Sequence, residues 1–311
     1  MDIYGRLTEI PRLKDSVVTM GTFDGLHRGH QEIVKKVITV AHSLKTRAVL
    51  ITFDPHPRHV LDRGEKLPLL MTIEKKLEFL ESFGLDVVIV IPFTEEFSRI
   101  PAASFLDDIV VAKLHPRHLI VGYDHHFGHN REGSPEFLMA YARNHTFTVE
   151  VVEPFRDENV VISSTRIREL IKSGFVRRAS FELGWVYGFK ARVVAGAGRG
   201  MSLSFPTANF IPLYANQLIP SSGVYLTRGR INGNNLYGMC NLGIRPTFGE
   251  KDFVMEVHFF DGDLHDLHGT VITVEFLERI RDEQKFPSKK ALIEQLRQDH
   301  ATCLELLKKY N

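Results

Sequence analysis

Residues Gly21–His30 read GTFDGLHRGH, three glycines and two histidines in ten positions. Upstream, SVVTM is a β-branched run of the kind that forms a buried strand. Downstream, Ile33, Val34, Val37, Ile38 and Ala41 recur at helical spacing and share one face. The stretch therefore falls where a strand ends and a helix begins. In an open α/β sheet that place is the carboxyl edge, where ligands bind. Gly21, Gly25 and Gly29 predict backbone that a phosphate can approach closely, with Phe23 and Asp24 in the same turn, and the helix start predicts N–H groups facing the ligand. His27 and His30, three residues apart at the helix entry, predict two imidazole donors aimed at one anion, as nucleotidyl transfer requires.

Working outward, RAVLITF, VVIVIPF, HLIVG and FTVEVV read as further buried strands. Helical patterns alternate with them: Ile73, Leu77 and Leu80 share a face, and FLMAYARN gives a shorter example. Strand alternating with helix predicts a doubly wound, Rossmann-like α/β domain over residues 1–183. From residue 184 the pattern becomes short strand-like runs, KARVVAG, GVYLTRGRI, NLYGMCNL, FVMEVHFF and TVITVEFL, broken by Gly, Asn and Pro. NGNN at Asn232–Asn235 is a hairpin signal, so residues 184–311 are expected to form a small closed antiparallel β-barrel. A terminal helix follows from Ser288, which caps it, with Leu292, Leu296 and Leu306 on its apolar face.

Bulk properties narrow the function classes. The chain has 311 residues, 43% hydrophobic and 25% charged, as soluble two-domain proteins do. A formal net charge of +1 without a long basic run disfavours nucleic-acid binding and leaves small molecules as the expected partners. Two distant cysteines, Cys240 and Cys303, fit a reducing cytoplasm. No signal peptide or membrane-length apolar run is legible, so a soluble monomer, or one with weak self-association, is expected.

Other stretches carry polar chemistry. ISSTRIREL offers capping hydroxyls and two arginines at a helix start. DHHFGH invites a metal reading, but its spacings match no standard zinc pattern. GAGRG, from Gly196, is Gly-Arg-rich yet lacks the G-K-[ST] ending of a P-loop. In FPTAN, Thr207 and Asn209 place two neutral oxygens on one face of an extended segment, a donor pair suited to Mg2+ that also takes phosphate oxygens. Val254, Glu256 and His258 alternate onto one face of a strand, and Glu256 is expected to point into the barrel, where a carboxylate is costly unless it is functional or paired.

GTFDGLHRGH resembles the HxGH signature of nucleotidyltransferases, and its longer form is similar to the adenylyltransferase half of the bacterial bifunctional riboflavin kinase/FAD synthetases. FPTAN, NLGIRPTFG, FVMEVHFFDG and FLERIRDEQKFPS follow in the order of that family's kinase domain, so the resemblance spans roughly residues 17–300. It implies riboflavin, FMN and ATP as substrates and Mg2+ as cofactor. It further implies that Ser164, Thr165 and Arg168 contact the triphosphate and that Asp124 lines the nucleotide side with Phe127 and Arg131; by its own composition the run with Gly196 and Arg199 reads either as a phosphate cradle or as a flexible hairpin loop. Phe53, His56 and Pro57 are implied on the flavin side, Thr207 and Asn209 at the metal, and Glu256 as base. Arg281 and Glu283 are expected either on the flavin side of the barrel or in a surface ion pair. Ser204, Ala191, His125 and His126 depart from the family's usual residues.

Overall fold

The computed structural model describes residues 1–311 except 63, 65, 66, 196–204, 232, 248, 249, 262–266 and 311; of residues 244–247 and 250–253 it describes the backbone alone. The chain forms two compact units, Met1–Ser164 and Thr165–Asn311.

The first unit is built on β1 (Asp2–Tyr4), β2 (Ser16–Met20), β3 (Arg47–Asp54), β4 (Val87–Pro92), β5 (Pro116–Gly122) and β6 (Thr148–Val152). They pair in the order β1-β4-β3-β2-β5-β6, and every pairing is parallel. The apolar runs explain the burial: Val17, Val18, Val49, Leu50 and Ile51 have no exposure, because helices cover both faces of such a sheet. The order reverses between β2 and β5, which makes the carboxyl ends of these strands the switch point. The helices are α1 (Arg28–Leu44), α2 (Pro57–Leu61), α3 (Ile73–Ser82), α4 (Ala102–Phe105, running into a wider π-helical turn over Leu106–Leu114) and α5 (Pro135–Ala142). A small hairpin, β7 (Arg156–Asp157) with β8 (Val160–Val161), precedes α6 (Ser164–Lys172).

The second unit holds α6 beyond Ser164, α7 (Val176–Leu183) and a closed barrel. Its strands are β9 (Gly188–Val194), β10 (Ala208–Pro212), β11 (Gly223–Ile231), β12 (Asn234–Thr247), β13 (Glu250–Phe259) and β14 (Val271–Arg281), ordered β10-β13-β12-β11-β14-β9. The expected hairpin is present, with Ile231 opposite Asn234, although Asn232 itself lies outside the described residues. Phe189, Tyr225 and Phe276 pack ring against ring, with Phe189 and Tyr225 each 5.6 Å from Phe276, in a lumen that also takes Phe210, Cys240 and Val257. The opposite face of the same strands is also apolar. Val224, Leu226, Met239 and Leu277 pack against Cys303 and Leu307 of α8 (Lys289–Leu307), which Ser288 caps through the Ala291 amide at 3.2 Å.

Candidate functional site

In the first unit the site starts where β2 stops. The Gly21 amide continues the ladder to Ile51 at 3.0 Å, and the chain then turns through left-handed Phe23, Gly25 and Leu26 at φ 47°, 77° and 38°. Phe23 and Leu26 are buried, so their anchored side chains hold a backbone that costs each of them strain. His27 is extended and caps α1: its Nδ1 accepts the His30 amide at 3.4 Å. That acceptor role leaves the proton of a neutral His27 on Nε2. The His27 and His30 rings stack at 3.7 Å and 18°.

The structure assigns a different job to two glycines than phosphate access alone. A Cβ at Gly29 would stand 3.3 Å from the His27 ring, and one at Gly21 would stand 3.3 Å from the Phe23 ring. These glycines make room for the rings that shape the site. Phe23 in turn meets His30 edge to face at 5.2 Å. His30 is driven well below the usual imidazole range, first by burial, then by the charges of His27 and Lys76. Its Nδ1 is buried with no hydrogen-bond partner among the described residues. A buried polar atom without a partner is the kind of vacancy that a polar ligand fills.

Around this turn, Asp24 is 4% exposed and accepts the Leu70 amide at 3.5 Å, while its carbonyl accepts from Ser164 Oγ at 2.9 Å. Phe53, next to last in β3, joins an aromatic trio with Phe93 and Phe97, at 5.6 and 5.9 Å. His56 caps α2, taking the Arg58 amide at 3.1 Å, and Pro57 opens that helix after a cis Asp54–Pro55 bond. Asp124 is exposed just beyond β5, and His125 stacks on Phe127 at 5.5 Å, its Nε2 buried and without a hydrogen-bond partner among the described residues. Burial followed by His126 lowers His125 to about 4. Thr165, exposed, and Arg168, buried, both on α6, belong to the second unit.

One residue in this unit was missed from sequence. Lys76 is 6% exposed, and its Nζ donates to the Thr22 carbonyl at 2.6 Å and to Thr52 Oγ1 at 3.2 Å. The signal was present, because position 76 fills the i+3 slot of the Ile73, Leu77, Leu80 face, where a lysine interrupts an apolar stripe.

In the second unit, strand register sets up a polar row. Asn209 of β10 lies opposite Glu256 of β13, and Glu256 lies opposite Asn241 of β12. Flanking pairs Cys240 with Val257 and Leu242 with Met255 are buried in the lumen. Glu256 therefore faces outward, which corrects the expectation of an inward carboxylate. Its strand does keep Val254, Glu256 and His258 on one side, and His258 Nδ1 meets the Pro206 carbonyl at 2.8 Å, tying down the segment that carries Thr207. Asn241 was missed from sequence; its signal is the asparagine in NLGIRPTFG.

Arg281 is not a surface ion pair: it grips Asp299 of α8 with Nε at 3.0 and 2.9 Å and Nη2 at 2.8 Å, its side chain 15% exposed. The carboxylate of Glu283 crowds Gly243, where a Cβ would fall 2.4 Å from Glu283 Oε1 and 3.4 Å from Asn241 Nδ2. Gly196, Arg199 and Ser204 lie outside the described residues. Among the described residues no cluster of three His, Cys, Asp or Glu side chains forms a metal cage.

Comparison with known proteins bears on both units. The FAD synthetase family profile matches residues 9–166 and the riboflavin kinase profile residues 183–307. The chain belongs to the bifunctional riboflavin kinase/FMN adenylyltransferase family. Relatives of that name include those of Haemophilus influenzae, 35% identical with 94% of each chain covered, and Bacillus subtilis, 34% identical with 91% of this chain and 90% of the relative covered. The Escherichia coli K12 relative is 32% identical, with 96% and 95% covered. A crystal structure from Streptococcus pneumoniae superposes over 97% of both chains with a TM-score of 0.87 and 30% identity. That protein is described as a macrolide-efflux protein; among the described residues here, no helix is long and apolar enough to cross a membrane.

Proposed function

We propose that the chain makes flavin cofactors in two steps, in functional halves 1–183 and 184–311. Riboflavin and ATP give FMN and ADP at the barrel; FMN and a second ATP give FAD and pyrophosphate at the sheet. The observation that carries this reading is the stacked His27–His30 pair at the α1 N-terminus, at the sheet's switch point.

In the second step, an FMN phosphate oxygen attacks the α-phosphorus of ATP, and pyrophosphate leaves. No protein nucleophile is needed, so positioning and electrostatics carry the rate. With Nδ1 accepting the His30 amide, the Nε2–H of His27 is the ring donor that serves phosphoryl oxygen. The amides of Arg28 and Gly29, in the first turn of α1, add to that cradle. His30 acts as a neutral donor, since its surroundings disfavour a second charge. Ser164 Oγ donates to the Asp24 carbonyl within the first unit, and Thr165 and Arg168 are read as serving the triphosphate. Phe53, His56 and Pro57 take the flavin side, and Asp124 the nucleotide side.

In the first step, Glu256 accepts the proton of the ribityl hydroxyl as its oxygen attacks the γ-phosphorus. Thr207 and Asn209 fit Mg2+ by their chemistry: two neutral oxygens, with Asn209 paired opposite the Glu256 carboxylate, suit an ion that arrives with nucleotide phosphates. When bound, that ion offsets charge on the transferring phosphoryl group. Arg281 holds α8 against the barrel and is not assigned to the flavin. The chain is further read as cytoplasmic, a monomer or weakly self-associating, with no nucleic-acid or membrane partner. The test is direct: riboflavin and MgATP are incubated with the protein and the flavins separated. FMN followed by FAD is expected, and unchanged riboflavin would overturn the proposal.

A further inference from the structure

Lys76 has an environment that packing alone does not explain. Its side chain projects from α3 into the first unit at 6% exposure, and its hydrogen-bond partners are the neutral Thr22 carbonyl, at 2.6 Å, and Thr52 Oγ1, at 3.2 Å. Thr52 Oγ1 donates in turn to the same Thr22 carbonyl at 3.2 Å. Two side chains from two segments, Lys76 of α3 and Thr52 of β3, thus converge on one peptide, the Thr22 carbonyl immediately before left-handed Phe23. A leucine or methionine here would complete the apolar stripe of Ile73, Leu77 and Leu80 without taking an ammonium out of water. Groups that cost stability and break a local pattern concentrate at functional sites.

We propose that Lys76 is a positioning residue for adenylyl transfer: by pinning the Thr22 carbonyl, it fixes the strained turn that sets Phe23, His27 and His30 in place. The inference rests on the reading of GTFDGLHRGH as the adenylyl-transfer site. The coupling is physical, since Phe23 packs its edge on His30 and His30 stacks on His27. A shift of the Thr22 peptide is therefore passed to both imidazoles. The charged groups around the ammonium are Asp24 and Asp54, which favour its charge, and His30, whose protonation it opposes. Burial outweighs the two carboxylates and brings Lys76 down to about 8. The charge is thus present at neutral pH and lost in mildly alkaline solution.

The test uses the full chain and measures FMN formation from riboflavin separately from FAD formation from added FMN, between pH 6.5 and 9.5. In the unaltered protein, FAD formation should decline through about pH 8 while FMN formation shows no matching decline. Lys76→Met should lower kcat for FAD formation at pH 7 by about ten- to a hundredfold, with a smaller change in KM for FMN, and should remove the alkaline limb. Lys76→Arg, charged throughout this range, should recover part of the rate and also lack that limb. A wild-type rate for Lys76→Met, or superimposable pH profiles of wild type and Lys76→Arg, would overturn the proposal. If Lys76→Met leaves the first unit unfolded by circular dichroism, the wild-type and Lys76→Arg profiles decide alone. His30→Ala is run in parallel. FAD formation that survives that change refutes the site reading, whereas loss in His30→Ala with none in Lys76→Met refutes only the lysine's role.

Discussion

Replacing Asp299 by alanine should destabilise the second unit far more than it alters riboflavin phosphorylation by the folded protein. Asp299 is 2% exposed and receives three contacts from Arg281 at 2.8–3.0 Å and one from Gln295 Nε2 at 2.8 Å. Removing one member of a buried pair leaves the other charge without compensation, a loss of about 3–5 kcal/mol. For a unit of this size that is a fall in melting temperature on the order of 10 °C. The chain's single tryptophan, Trp185, lies in this unit, so its fluorescence during denaturation reports the relevant transition. Replacing both partners, Arg281→Met with Asp299→Leu, should recover most of the loss, because two apolar side chains carry no desolvated charge. The reasoning fails if Asp299→Ala costs under about 1 kcal/mol against that expected loss. It also fails if Arg281→Lys raises KM for riboflavin with stability unchanged, since that arginine would then serve the ligand.

Two further outcomes concern the first unit. His30 and His125 are both held below the ordinary imidazole range, chiefly by burial, so below about pH 6.5 the unfolded chain binds protons that the folded chain refuses. Stability is therefore present above that pH and lost on acidification; His125 alone accounts for up to about 3 kcal/mol by pH 4, and denaturant titrations of His125→Phe should show that part of the acid slope removed. Gly29→Ala brings a Cβ to 3.3 Å from the His27 ring, so FAD formation should fall by about tenfold or more while FMN formation is unchanged, as separate assays of the two steps will show.

Much of the first unit was legible because a parallel sheet covered on both faces leaves continuous apolar runs between helical repeats. β1 left no such signal, being three residues long with Ile3 half exposed. The π-helical turn escaped for a different reason: Ile109, Val110 and Val111 are contiguous, and a run of that kind has no clear period. At the site, spacing brought His27 and His30 together but could not show that His27 is the cap and His30 lies inside the helix, which is what stacks the rings.

The outward face of Glu256 was illegible for a reason the barrel makes plain. Alternation identifies an inner face only when the outer one is wet. Here α8 covers the outer face, so Val224, Leu226 and Met239 are as buried as Tyr225 and Cys240 of the lumen. Period two then tells which residues share a side, and leaves open which side is in. The pairing of Asn241 with Glu256 needed the register of β12 on β13, a long-range fact that local sequence does not carry.

The central claim is that two separate sites act in sequence on one flavin. Its most direct measurement is the product distribution of His30→Ala and Glu256→Gln, each incubated with MgATP and either riboflavin or FMN. His30→Ala should accumulate FMN, with FAD formation down by about a hundredfold or more. Glu256→Gln should leave riboflavin unconverted yet turn added FMN into FAD at the wild-type rate. Loss of both steps from either substitution, in protein that remains folded, would contradict the account.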